Sequence, residues 1–175
     1  MITQREAPQW GDSKPSANSR KKIDWRIVVN RILVLTGAAL LLCIFVLRPV
    51  IIRGDTMRPT YSNRSITFVF LPYFKIYPPE RKQVVAVSRN GFNNILIKRV
   101  LAFPGETVEI RSGVLYVNDK RIREPYLKKG CNWNLPPREV PNGKVFILGD
   151  NRTMPMGNHM GGMIDQSKLA GVPIW

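Results

Sequence analysis

The chain has 175 residues, with 27 lysines and arginines against 12 acidic residues, a net charge of +15 and a pI near 10.4. This charge favours anionic partners, either nucleic acid or the head groups of acidic phospholipids. Cys43 and Cys131 form neither a cysteine framework nor a CxxC zinc motif, and we expect no disulfide between them. His159 is the only histidine, which excludes a typical zinc site, so we expect no metal and no cofactor.

The N-terminal part of the chain combines a polar tail with an apolar segment. Residues 1–26 contain Pro, Gly, Ser and a basic cluster at positions 20–22, and we predict a disordered, basic tail. Residues 32–47 carry no charge, and the flanking apolar residues extend this segment to the roughly 20 residues that a membrane-spanning helix needs. We therefore predict a transmembrane anchor at residues 27–52.

The composition of the apolar segment disfavours two other interpretations. A core helix of a soluble domain is rarely apolar on every side. A cleaved signal peptide needs a small-x-small site after the apolar run, whereas this run ends in Val46-Leu47-Arg48-Pro49. Basic residues flank both ends of the segment, but the cluster before it decides the orientation. We expect the tail in the cytoplasm and residues 53–175 outside the plasma membrane.

The remainder of the chain predicts a small, mainly β, antiparallel domain. Short apolar runs alternate with Gly, Pro, Asn and Asp, and no long helical periodicity follows the anchor. Ser112-Gly113 lies between two of these runs and predicts a hairpin. The predicted strands are residues 65–70, 84–87, 95–101, 107–110, 114–117 and 144–148.

Lys98 is the most informative charged residue. In a strand at residues 95–101, alternation places it on one face between Leu96 and Val100. Alternation alone favours a lysine at a strand edge, with its ammonium group in water. The functional alternative is a partly desolvated lysine, whose lowered pKa would suit a general base that activates a hydroxyl.

Two loops carry further candidate residues. Gly54 and Pro59 frame a turn that presents the Thr56 hydroxyl directly after the anchor, although such a threonine is usually structural. Asp150 and Arg152, in a Gly-Asp-Asn-Arg quartet, are expected to pair with each other or to cap backbone groups and so to hold their loop. His159 is expected to be a loop residue rather than a catalyst.

Three sequence boxes together resemble the bacterial type I signal peptidases, the S26 leader peptidase family. The family pattern Gly-x-Ser-Met-x-Pro-Thr is matched at residues 54–60, with Thr56 at the position of the serine. Lys-Arg followed by Pro-Gly-acid is matched at residues 98–106, and Gly-Asp-Asn-Arg at residues 149–152. The resemblance covers the chain from the anchor to about residue 175.

The resemblance implies a membrane-bound endopeptidase that removes signal peptides from exported preproteins. It makes Thr56 the nucleophile and Lys98 the general base, with about 3 Å between the hydroxyl and the amine. Gly54, Met57, Asp150 and Arg152 would support the substrate and oxyanion site. The implied partners are signal peptides and membrane phospholipids, and no nucleic acid is expected.

An active endopeptidase is the leading hypothesis, and three departures from the family pattern keep open a second one, an inactive relative that binds substrates or assists assembly. Thr replaces Ser, and its methyl group crowds the attack. The Ser-x-Asp-Ser stretch, whose first serine orients the lysine, is replaced by residues 155–158. An Arg-Gly-Asp is replaced by residues 81–83. A third hypothesis, a nucleic-acid-binding domain, depends only on net charge, because no recognition helix or basic stripe is present.

Overall fold

A computed structural model describes residues 24–89, 94–159 and 162–174. The chain divides into two compact units, Met1–Ala38 and Ala39–Trp175. The predicted disordered tail falls almost entirely outside the described residues and stays a prediction.

The helices of the described part are α1 (Trp25–Val46) and α2 (Tyr73–Ile76), with short 3₁₀ turns at Met156–His159 and Gln166–Lys168. The strands are β1 (Leu47–Ile51), β2 (Ile66–Phe70), β3 (Val84–Ser88), β4 (Ile95–Ala102), β5 (Thr107–Arg111), β6 (Val114–Val117), β7 (Lys120–Arg121), β8 (Leu135–Glu139), β9 (Lys144–Leu148), β10 (Gly162–Asp165) and β11 (Leu169–Pro173).

The apolar segment forms helix α1, which is long and apolar enough to cross a membrane by length and composition. It has 22 residues, none of them buried, as expected for a helix whose surroundings are lipid. The predicted boundary at residue 52 differs from the structure, because the helix ends at Val46 and residues 47–51 form β1. The cause is Pro49, which cannot donate a helical hydrogen bond and pushes Arg48 into an extended conformation.

Most strands belong to a seven-stranded sheet in the order β1-β2-β11-β3-β4-β9-β10. Its strand pairs are antiparallel, and the predicted strands at β2, β3, β4 and β9 are confirmed to within one residue at each end. Strand β4 lies in the interior of this sheet, between β3 and β9. Lys98 lies in this strand, directly opposite Val85 of β3.

A separate four-stranded sheet has the order β7-β6-β5-β8. The predicted hairpin joins β5 to β6, and both of its turn residues, Ser112 and Gly113, have positive φ angles of 46° and 80°. Strand β8 was not predicted from the sequence because it contains Pro136 and Pro137. Among the strands that the structure describes it pairs only with β5, and prolines are tolerated on such an edge strand. The mainly antiparallel β fold predicted from the sequence is confirmed.

Three apolar clusters form the core of the described residues. One joins the two sheets and includes Leu101, Val108, Leu115 and Phe146. A second packs Met57 against Val50, Ile52, Val69, Ala86 and Ile97. The third lies between β3, β4, β9 and β11. The second cluster matters most for function, because it attaches the turn after β1 to the large sheet. Burying one methionine of this kind contributes about 2 kcal/mol.

Candidate active site

Thr56 lies in a tight turn between β1 and β2. Gly54 has a φ of +91°, which favours glycine, and its N–H donates to the side-chain oxygen of Asn63 (3.0 Å). Met57 is 1% exposed and belongs to the core cluster that also contains Ile52. The buried Met57 side chain thus anchors the turn in the core, while Thr56 itself stays partly exposed.

Lys98 lies in the interior strand β4 and is only 2% exposed. The expectation of a strand-edge lysine with its ammonium group in water is therefore wrong. The reason is tertiary, because the turn after β1 packs on this face of the sheet and places the Thr56 Oγ1 2.8 Å from the Lys98 Nζ. Burial lowers the pKa of Lys98 to about 8, although the negative charge of Asp150 acts in the opposite direction. A substantial neutral fraction at mildly alkaline pH suits a proton acceptor.

Lys98 and Thr56 are in direct contact. The distance between the Lys98 Nζ and the Thr56 Oγ1 is 2.8 Å, as expected for a base and its nucleophile. Both line a cleft of about 410 Å³. Its lining residues are Arg53, Gly54, Asp55, Thr56, Leu96, Lys98, Met154, Gly157, Asn158 and His159. Within the described residues, no group of three or more His, Cys, Asp or Glu side chains is arranged to hold a metal ion.

The loop at residues 149–152 holds the backbone of the nucleophile. The Asn151 N–H donates to the Thr56 carbonyl (2.9 Å), and the Asn151 side-chain amide donates to the Asp55 carbonyl (3.0 Å). Gly149 packs so closely that a Cβ built on it would lie 2.3 Å from the Thr56 carbonyl oxygen. Glycine is therefore required at this position by packing.

Asp150 and Arg152 do not pair with each other. Asp150, 2% exposed, accepts two hydrogen bonds from Arg99, which neighbours Lys98 in β4, and one from Thr60. Arg152, 1% exposed, pairs with Glu124 and donates to the Gly149 carbonyl (3.0 Å). These contacts agree with the expectation that both residues hold their loop. The ion-pair partners of Asp150 and Arg152, however, are Arg99 and Glu124, which are distant in sequence.

Several residues of the site were missed by sequence reasoning. Asn151, Arg99 and Thr60 lie inside the quoted boxes, yet only the structure shows that they join the three boxes together. His159 was expected in a loop, whereas it lies at the end of a 3₁₀ turn and is 0% exposed. Glu124 lies far from every box, and no sequence signal marks it.

The chain matches the model of the family described as signal peptidase, peptidase S26, over residues 25–174. The chain belongs to this family. The resemblance inferred from the three boxes is thereby confirmed.

Individual relatives agree with the family assignment. The probable signal peptidase I-1 of Synechocystis sp. is 32% identical over 165 residues, covering 88% of this chain and 84% of the relative. Signal peptidase I S of Bacillus subtilis is 33% identical over 167 residues, covering 87% and 88%. A crystal structure of a signal peptidase I from Enterococcus faecalis is 30% identical and covers 55% of this chain and 97% of its own, with a TM-score of 0.47. With this TM-score, the two folds are not compared in detail.

Proposed function

We propose that the protein is a membrane-bound endopeptidase that removes signal peptides from exported preproteins, with Thr56 as nucleophile and Lys98 as general base. The observation that carries this proposal is the 2.8 Å contact between a partly exposed hydroxyl and a buried amine at the edge of a cleft. Membership of the signal peptidase family and relatives that bear the name signal peptidase I support the reaction and the substrate class.

The reaction proceeds in two acyl-transfer steps. The Thr56 Oγ1 attacks the carbonyl carbon of the scissile amide while its proton moves to the neutral amine of Lys98. The resulting tetrahedral intermediate collapses, the C–N bond breaks, and Lys98 gives the proton to the leaving amine. A water molecule, deprotonated by Lys98, then attacks the Thr56 ester, the C–O bond to Thr56 breaks, and Lys98 returns the proton to the Thr56 Oγ1 as the signal peptide leaves with a free carboxylate.

The oxyanion of the intermediate needs a fixed donor. Among the described residues, none accepts a hydrogen bond from the Thr56 N–H, so this group is available to the substrate oxygen. Its position is restrained because Asn151 binds the carbonyls of Asp55 and Thr56. One such donor contributes about 3 kcal/mol to transition-state stabilisation. Gly54 leaves room for the substrate beside this donor but adds no hydroxyl group of its own.

The membrane setting follows from α1. Proteins of this family are membrane-anchored, and the helix has the length and composition of a span. We propose a single-pass topology in which α1 (Trp25–Val46) crosses the membrane, the residues before it lie in the cytoplasm, and residues 53–175 form the extracytoplasmic catalytic domain. Acidic phospholipids are the proposed counter-charge for the basic residues near the span.

Cleavage of a preprotein by the purified full-length protein in detergent or lipid vesicles tests the proposal. The parent is compared with Thr56→Ser, Thr56→Val and Lys98→Ala. Thr56→Val keeps the shape of the side chain and removes only the hydroxyl. We expect cleavage by the parent and by Thr56→Ser, and none above background by the other two. Cleavage that survives Lys98→Ala would contradict the dyad.

The competing hypothesis of a non-cutting relative predicts a different result. The methyl group of Thr56 restricts χ1 and narrows the approach of a substrate carbonyl. If the parent binds a preprotein without cutting it and Thr56→Ser restores cleavage, the protein is a substrate-binding relative. Salt-sensitive binding to duplex DNA would instead favour the nucleic-acid hypothesis, which net charge alone suggests.

A further inference from the structure

His159 has an environment that the reaction described above does not explain. The ring is 0% exposed and packs edge to face on Trp133, with 4.7 Å between ring centroids. Its Nδ1 accepts a hydrogen bond from the Gly149 N–H (3.2 Å). Its Nε2 has no hydrogen-bond partner among the described residues. Because Nδ1 acts as an acceptor, the neutral ring carries its proton on Nε2.

Gly149 links this ring to the nucleophile. A Cβ built on Gly149 would lie 2.8 Å from the His159 Nδ1 and 2.3 Å from the Thr56 carbonyl oxygen. Two residues later, the Asn151 N–H binds the same carbonyl at 2.9 Å. His159 also lines the cleft that contains Thr56 and Lys98. The imidazole, the loop and the nucleophile thus form one continuous set of contacts.

We propose that His159 is a positioning residue, whose unprotonated Nδ1 fixes Gly149 and thereby the loop that holds Thr56 against Lys98. This inference rests on the proposed function. It assigns a task to a residue that lies after the Gly-Asp-Asn-Arg box, directly after the stretch where the sequence departs from the family pattern.

The charges around the ring maintain the neutral form that this task needs. Burial lowers the pKa of His159 to about 4, and the positive charges of Lys98 and Arg152 act in the same direction. The Asn151 backbone and the negative charge of Asp150 act in the opposite direction and raise this pKa. Protonation of the His159 Nδ1 would turn this acceptor into a donor that faces the Gly149 N–H, and the hydrogen bond between them would be lost. It would also add a positive charge to the cleft that contains Lys98.

Two variants separate the acceptor from the shape of the ring. In His159→Asn the side-chain oxygen occupies the position of Nδ1, whereas His159→Phe keeps a ring against Trp133 and loses the acceptor. We expect His159→Phe to lower kcat about tenfold with KM within about twofold of the parent, since one positioning hydrogen bond is lost. His159→Asn should stay within about threefold of the parent kcat. Equal losses in the two variants, or parental kcat in His159→Phe, would overturn the proposal.

The single histidine also allows a test that needs no activity. Nitrogen NMR of the full-length protein in detergent micelles should show the Nε2-protonated tautomer and a pKa well below 6.5. Lys98→Met should raise that pKa, because it removes a neighbouring positive charge. An Nδ1-protonated ring, or a His159 pKa that is the same in the parent and in Lys98→Met, would overturn the role of His159 even if the dyad is correct. Cleavage that survives Lys98→Ala would refute the dyad while the tautomer still reports on His159.

Discussion

Two arginines, one in each sheet, contact carboxylates with similar chemistry and in different surroundings. Arg99 and Asp150 meet beside the candidate dyad, with side chains 10% and 1% exposed. Arg111, on the four-stranded sheet, contacts Glu109 and Asp119, and its side chain is 51% exposed. The first contact joins a strand to a distant loop, whereas the second lies within one sheet and its turn.

The difference shows where this fold uses charge for positioning. A buried pair loses the hydration of both partners and persists only with further hydrogen bonds, here those of Thr60 and the Lys82 carbonyl. An exposed pair is weakened by solvent and salt. The Arg99–Asp150 pair therefore holds its charged groups in fixed positions, while the Arg111 guanidinium is solvated. Four tests, in order of expected effect, probe this contrast.

The largest effect is expected from the buried lysine. Lys98→Ala should lower kcat at least about 10³-fold, because the general base is lost. Lys120→Ala, at an exposed position in the small sheet, is the matched control and should cleave like the parent. Steady-state cleavage of a preprotein measures both. Similar cleavage rates in the two variants would contradict a catalytic role for the buried lysine.

The next effect concerns stability. Asp150→Asn should lower the free energy of unfolding by about 3–5 kcal/mol, because the buried Arg99 guanidinium loses its counter-charge. Asp119→Asn removes a carboxylate that is 88% exposed and should produce no measurable change. Urea unfolding of both variants at low and high salt gives the comparison. Equal destabilisation would show that burial does not distinguish the two arginine pairs.

A third test uses pH. Since Lys98 must be neutral to accept a proton and its pKa is lowered to about 8, kcat/KM should rise about tenfold per pH unit below pH 8 and level off above it. The Lys120→Ala variant should show the same profile. A rate that is independent of pH between 6 and 9 would be inconsistent with Lys98 as the base.

The smallest effect is expected for Lys98→Met, which should lose activity but gain free energy of unfolding. The pKa of Lys98 is lower in the folded protein than its ordinary value of 10.5, so its burial cost is fully present below pH 8 and fades between pH 8 and 10.5. Lys98→Met should therefore raise the free energy of unfolding by about 1–3 kcal/mol at pH 7. This gain should shrink towards pH 10. A loss of stability at pH 7 would mean that the contact with Thr56 outweighs the burial of the charge.

The limits of sequence-based prediction are clear at individual residues. The alternation around Leu96 and Val100 predicts strand β4, but whether Lys98 is exposed depends on what packs on its face of the sheet. The turn that carries Thr56 packs there, although Thr56 lies 42 residues from Lys98 in sequence. Burial of this lysine is thus a property of the tertiary structure, which local periodicity does not contain.

The boxes themselves were recognisable, while the contacts among them were not. Thr56, Lys98 and the loop at residues 149–152 stand out in the sequence. The partners of Asp150 and Arg152 are Arg99 and Glu124, at separations of 51 and 28 residues. His159 carries no motif at all, and its proximity to the nucleophile arises from Gly149, a residue that allows two backbone segments to approach closely.

Trapping the acyl-enzyme most directly tests the central claim that the Thr56 hydroxyl, activated by Lys98, performs the reaction. A preprotein is mixed with the full-length protein in detergent, the mixture is quenched in acid, and the modified peptide is identified by mass spectrometry. We predict an ester between the signal peptide and Thr56, its loss in Thr56→Val, and its loss in Lys98→Ala. An acyl group on another residue, or cleavage that persists in Thr56→Val, would contradict the account.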